Sequence, residues 1–200
     1  MRKIFFALFI AVGLVTFAKG PITVSQKEVS DNPEIAGLLG VLGAYQTTAT
    51  VYADTIDAKY FEIWMSVCNG TDTKRTTISY VPIQRDSTQI VVTALPKDSM
   101  TVAIYVNGAY MLVQDVHIPT YQHLLIGCEF NWEFNDTDTI PLLAYSTGIK
   151  GNIKINGEVY ERYDICGLRY SKVHPSEWKE KYNLRGYIYF EAIPVKKIRY

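Results

Sequence analysis

Across residues 59–68, Phe61, Ile63, Met65 and Val67 fall on one face of an extended chain. Tyr60, Glu62, Trp64 and Ser66 fall on the other. This period of two predicts a half-buried β-strand. The β-rich stretches 76–83 and 89–95 predict two more. Residues 100–106 and 109–116 flank Asn107-Gly108, the strongest short-range hairpin signal, and a second hairpin joins 152–155 to 158–166 through Asn156-Gly157. Leu124, Ile126, Cys128, Phe130, Trp132 and Phe134 alternate with His123, Gly127, Glu129, Asn131 and Glu133, which predicts one long strand. Residues 185–193 read as a last strand that Pro194 ends.

Two segments read as helical. Asn32-Pro33-Glu34 supplies a cap, a first-turn proline and a first-turn acid for an apolar helix to about Leu42. Gly37, Gly40 and Gly43 weaken that helix. It is short and lacks a charged face, so the expectation is a helix buried under a sheet rather than one lying on a membrane. Residues 175–182 read as a second, brief helix. About ten to twelve short strands with turn signals between them predict an all-β chain: an antiparallel β-sandwich with two short helices. A calycin-like β-barrel is the alternative, since a late helix before a final strand also suits it, although no Gly-x-Trp opening motif is present.

The first residues carry a different pattern. Arg2 and Lys3 precede an apolar run from Ile4 to Val15, and small residues follow in Thr16-Phe17-Ala18. This is the layout of a secretory signal peptide over residues 1–18, with cleavage near Ala18. The run is short of the ~20 residues a bilayer span needs, and no later segment reaches that length. The expectation is therefore an exported chain, periplasmic or at the cell surface, with one β-rich domain over 19–200. If there are two subdomains, 135–139 is the seam.

Charge narrows the partners. Lys+Arg and Asp+Glu are 20 each, with no long basic block, so nothing marks a nucleic-acid-binding surface. Export points to an oxidising compartment. Cys68, Cys128 and Cys166 allow one bridge and a free thiol, in any of three pairings.

Candidate chemistry is sparse. Glu129 and Glu133 share a face, but their Cα atoms would stand about 13 Å apart on a regular strand. Glycosidase carboxyl groups sit about 5 to 9.5 Å apart, so hydrolysis would need a cross-strand partner such as Glu62. Solvated carboxylates on a wet sheet face are the plain alternative. Asp115 and His117 share a strand face, and His123 and His174 would complete a metal site only if the fold gathered them. Motifs for a nucleophile elbow, a phosphate loop or a dinucleotide fold are absent, and no cofactor is expected.

Aromatics stand out more. There are 15 Tyr, seven of them from Tyr160 onward. Tyr60 and Trp64 flank Glu62 on the polar face of their strand, and Tyr187 and Tyr189 share a face of theirs. Exposed, these rings would form a platform for a protein partner or a sugar ring; the competing reading has both faces of these strands buried.

Asn69-Gly70-Thr71 and Asn135-Asp136-Thr137 match the N-glycan acceptor triplet. Asp54-Thr55-Ile56, Asp86-Ser87-Thr88, Asp98-Ser99-Met100 and Asp138-Thr139-Ile140 resemble the Asp-Ser/Thr-apolar O-glycosylation acceptor of exported proteins in gut Bacteroidetes. Thr55, Ser87, Ser99 and Thr139 are the acceptors this resemblance implies, although Asp-Ser/Thr is also ordinary turn chemistry. With the Lys/Phe-rich leader and the Tyr-rich strands, the chain resembles the uncharacterised exported all-β proteins of that group. The resemblance carries no catalytic residue. The leading expectation is a non-enzymatic binding module of the cell envelope, engaging a partner protein or a glycan. The alternatives are a small glycan hydrolase using Glu62 with Glu129 or Glu133, and a lipid or small-molecule carrier if the strands close.

Overall fold

The computed structural model describes residues 22–199, apart from residues 29, 54, 55, 71, 108–111, 121 and 130–132. The leader expected over 1–18 and the acceptor Thr55 lie outside the described residues.

Strands β1 (Ile22–Lys27), β2 (Tyr45–Ala53), β5 (Thr88–Pro96), β6 (Thr101–Val106) and β7 (Leu112–His117) form one antiparallel sheet in the order β1-β2-β5-β6-β7. Strands β3 (Tyr60–Asn69), β4 (Asp72–Pro82), β8 (Leu124–Gly127), β9 (Ile140–Ser146) and β12 (Tyr187–Val195) form a second in the order β4-β3-β12-β9-β8. Strands β10 (Ile149–Ile155) and β11 (Glu158–Asp164) pair as a separate hairpin. Both large sheets are open, so the architecture is the sandwich and not the barrel. The main core lies between them: Val51, Ile90, Val92 and Ile104 from the first sheet meet Phe61, Ile63, Leu143, Ile188 and Phe190 from the second.

The second sheet is covered on its other face as well. Helix α2 (Ile165–Arg169), a 3-10 turn (Pro175–Glu177) and helix α3 (Trp178–Tyr182) form a cap. Leu168, Trp178 and Leu184 from this region pack with Cys68, Ile126, Cys128, Tyr187 and Tyr189. Trp178 is fully buried, and its indole N–H donates to the Val173 carbonyl at 2.8 Å.

Several expectations need correction. Of the long strand expected over 123–134, the described residues form β8 up to Gly127, where a Cβ would stand 2.7 Å from Gln26 Cβ, and a bridge from Phe134 to Ile22; residues 130–132 lie outside the described residues. Strands β1 and β2 were not legible, and α2 replaces the end of the expected last hairpin strand. Pro194 does not end β12: beyond Ala192 only β3 pairs with it, so a missing N–H is tolerated at that edge. Asn156-Gly157 does form the two-residue turn, with φ of 51° and 91°. The Asn107-Gly108 connection is longer, since Val106 pairs with Leu112, and residues 108–111 lie outside the described residues.

Candidate functional site

Helix α1 (Pro33–Leu42) is locally well specified. Asn32 Oδ1 accepts from the Glu34 N–H at 2.9 Å, Pro33 occupies the first turn, and Gly43 ends the helix at φ 64°. Yet none of its residues is buried. Val41 is 87% exposed, Leu38 60%, Leu42 54% and Ile35 44%. The expectation of a buried helix is overturned: the cap on the second sheet is built from α2 and α3, and α1 keeps these four large apolar side chains exposed.

Beside α1 runs a cleft of about 370 Å³ lined largely by Leu39, Tyr45, Leu124, Leu125, Ile126 and Ile165. Arg169 closes one end. Its guanidinium reaches Glu28 at 2.7 Å and Glu129, through Nε, at 2.7 Å. One cation therefore serves two carboxylates. Asp31, paired with Lys27, and Glu34 add further acid at the start of α1. The cleft is largely apolar; Glu28, its one acidic lining residue among those described, is held by Arg169, and the exposed Cys166 also borders it.

The four aromatic residues singled out in the sequence converge on the outer face of the second sheet, but two of them do not reach solvent. Tyr187 and Tyr189 are buried under the cap with ring centroids 6.0 Å apart, and Tyr187 donates to the Pro175 carbonyl at 2.8 Å. The expected exposure of these two rings is thus corrected. Glu62 is buried too: its Oε1 accepts from Tyr80 at 2.9 Å and Thr77 at 3.1 Å. Only Tyr60 and Trp64 are half-buried. The Arg75 guanidinium stacks 4.4 Å above the Trp64 ring and reaches Glu191 at 3.1 Å.

Glu191 was missed, although period-two spacing sets it on the same face as Tyr187 and Tyr189. Its carboxylate is 4% exposed and faces Arg75 on one side and His174 Nε2, at 3.3 Å, on the other. Burial pushes its pKa up, against the pull of Arg75. Burial pushes the His174 pKa down. His174 Nδ1 accepts from the Ser176 N–H, so the neutral ring carries its proton on Nε2, towards Glu191. The arrangement ties His174 at the edge of the cap to Glu191 of the sheet.

The other candidates do not assemble. Glu62 and Glu129 lie at β3 and just past β8, three strand spacings apart, or about 14 Å. Glu62 turns to β4 and Glu129 to Arg169, so the pair misses glycosidase geometry. Glu133 is exposed. Asp115 is bound by Lys97, His123 Nε2 donates to the Gly186 carbonyl, and His174 faces Glu191. No cluster of three metal-ligating side chains occurs among the described residues. All three cysteines are free thiols. Ser99 is exposed and Ser87 and Thr139 are half-buried. Asp98 accepts from the Met100 N–H at 2.7 Å, which is turn chemistry.

No helix among the described residues is long and apolar enough to cross a membrane. Comparison with family models, curated proteins and solved structures finds no match to this chain.

Proposed function

We propose that the protein is a non-enzymatic, exported interaction module that docks a partner protein on α1 and its cleft. One observation carries this reading: a helix with a complete local capping code keeps four large apolar side chains in water. Contiguous exposed apolar surface marks interaction sites. The occupant is a protein segment with an apolar centre and basic flanks. The four carboxylates Glu28, Asp31, Glu34 and Glu129 outnumber Lys27 and Arg169, the two cations paired with them, which favours such flanks. Helix α1 carries no Lys or Arg to hold an anionic lipid surface.

The test places a photo-crosslinking side chain at Leu38 or Val41 in the full chain, expressed in its own cells, with Val159 of β11 as an exposed control. The proposal expects one adduct from positions 38 and 41 and none from 159. The trapped peptide should be apolar with basic neighbours, and Leu38→Glu should weaken binding of that purified partner at least tenfold. Lipid adducts, adducts of two copies of this chain, or equal labelling at all three positions would each overturn it.

A further inference from the structure

A second cleft, of about 410 Å³, lies on the other side of the start of β8, where His123 borders it while the adjacent Leu124 borders the first cleft. Its volume is in the range of small-ligand sites, about 300 to 1,000 Å³. Its chemistry differs from that of the α1 cleft. Gln122, Thr147, Lys150, Tyr163, Asn183 and Arg185 line it, and no Asp or Glu is among the described lining residues. Lys150 is balanced by Glu161 in an exposed ion pair. Arg185 makes no ion pair among the described residues, so it carries the excess positive charge.

The backbone around this cleft is unusual. Gln122 (φ 61°), Asn183 (φ 52°) and Gly148 (φ 89°) all sit in the left-handed region, and three different loops bring them to the same cleft. Left-handed backbone is costly for glutamine and concentrates at ligand sites. Gly148 has no alternative, because a Cβ there would stand 2.8 Å from the Ile165 amide nitrogen. The floor is held firmly: His123 donates from Nε2 to the Gly186 carbonyl at 2.8 Å and packs on Tyr145.

We propose that this cleft binds an acidic sugar. The carboxylate of a uronic or sialic acid would meet Arg185, with Lys150, paired to Glu161, beside it. Ring hydroxyls would meet the amides of Gln122 and Asn183 and the Thr147 hydroxyl. The apolar face of the ring would lie against Tyr163 and Leu184. A free inorganic anion would use the two cations alone and leave the amides unengaged. The site is independent of the α1 docking reading, since it shares no lining residue with that cleft.

The test is calorimetric titration of the full chain with digalacturonate, sialyllactose, lactose and inorganic sulfate at low salt. The proposal expects at least one of the two acidic sugars to bind, with lactose and sulfate at least tenfold weaker. Arg185→Ala should weaken that binding about tenfold, a difference of ~1.4 kcal/mol, and Arg185→Lys should recover part of it. Lys197→Ala, at the distant C-terminal end, should change nothing. Arg185 is exposed, so its variants should keep the wild-type melting temperature. Failure of both acidic sugars, equal binding of sulfate, or full affinity in Arg185→Ala would overturn the assignment.

Discussion

Replacing Trp178 with alanine tests whether the cap is a structural part of the sandwich or a loose cover. The indole is fully buried, with its centroid 5.9 Å from that of Tyr187. Removing a buried Trp or Phe side chain from a core costs about 3 to 5 kcal/mol. The upper half of that range applies here, because the Val173 carbonyl loses its donor and helices as short as α2 and α3 cannot close the hole by local propensity. Against a typical domain stability of about 5 to 15 kcal/mol this is a large fraction. The assay combines urea unfolding with thiol labelling. In the wild type, Cys166 should react at once, while Cys68 and Cys128 in the capped cluster should react slowly. Burial also pushes the Cys128 pKa up, which keeps thiolate scarce. In Trp178→Ala the two slow thiols should accelerate about a hundredfold or more, the factor that about 3 kcal/mol of easier opening implies. A loss below about 1 kcal/mol with Cys68 and Cys128 still protected would refute the reasoning and leave the Glu191 clasp as what holds the cap.

Three further outcomes follow from single sites. The Tyr145 hydroxyl is buried without a hydrogen-bond partner among the described residues, so Tyr145→Phe should leave stability unchanged or raise it by up to about 1 kcal/mol in urea unfolding. Gly127→Ala should cost about 1 to 3 kcal/mol by the same measurement, since the new methyl meets Gln26, whose amide already bonds the Cys128 carbonyl at 2.8 Å. Glu191→Gln should change the pH profile. A carboxyl whose folded pKa stands above its ordinary 4.5 binds its proton more tightly in the folded chain, so the wild type should lose stability relative to the variant as pH rises from about 4.5 through the folded value, then stay level. Urea midpoints for both proteins, taken from pH 4 to 8, should show this fall; a wild-type advantage that grows with pH would contradict it.

Period-two alternation made the second sheet legible where its inner face is uniformly apolar, as in β3 and β12. It failed for β1 and β2, where Thr, Ser and Gln alternate with small residues such as Ala49 and Ala53 and give a weak contrast. It also misjudged exposure. Tyr187, Tyr189 and Glu62 read as a wet face because Tyr and Glu often are wet; the cap covers the two tyrosines and Tyr80 and Thr77 of β4 enclose Glu62, and no local pattern announces either contact. The α1 boundaries were legible because caps are local chemistry. Its environment was not, because burial is decided by the rest of the fold. The acidic-sugar cleft was invisible for the same reason: Gln122, Lys150 and Arg185 are unremarkable in sequence and meet only when two loops and the start of β10 converge.

The cap and α1 are two answers to one physical problem. The second sheet has apolar residues on both faces, and the chain covers the outer one with Leu168 and Trp178 from short helices and Leu184 from the turn that follows them. Where this chain must hide apolar surface, it supplies the cover itself. Helix α1 has a higher density of large apolar residues than the cap helices, and a cleft beside it, yet nothing among the described residues buries Leu38 or Val41. Folding stability gains nothing from side chains left in water, so Leu38→Ala with Val41→Ala should shift stability by no more than about 0.5 kcal/mol. If that pair instead destabilised the chain substantially, α1 would be an undetected part of the core. If stability holds while docking is lost, the apolar face of α1 serves association alone.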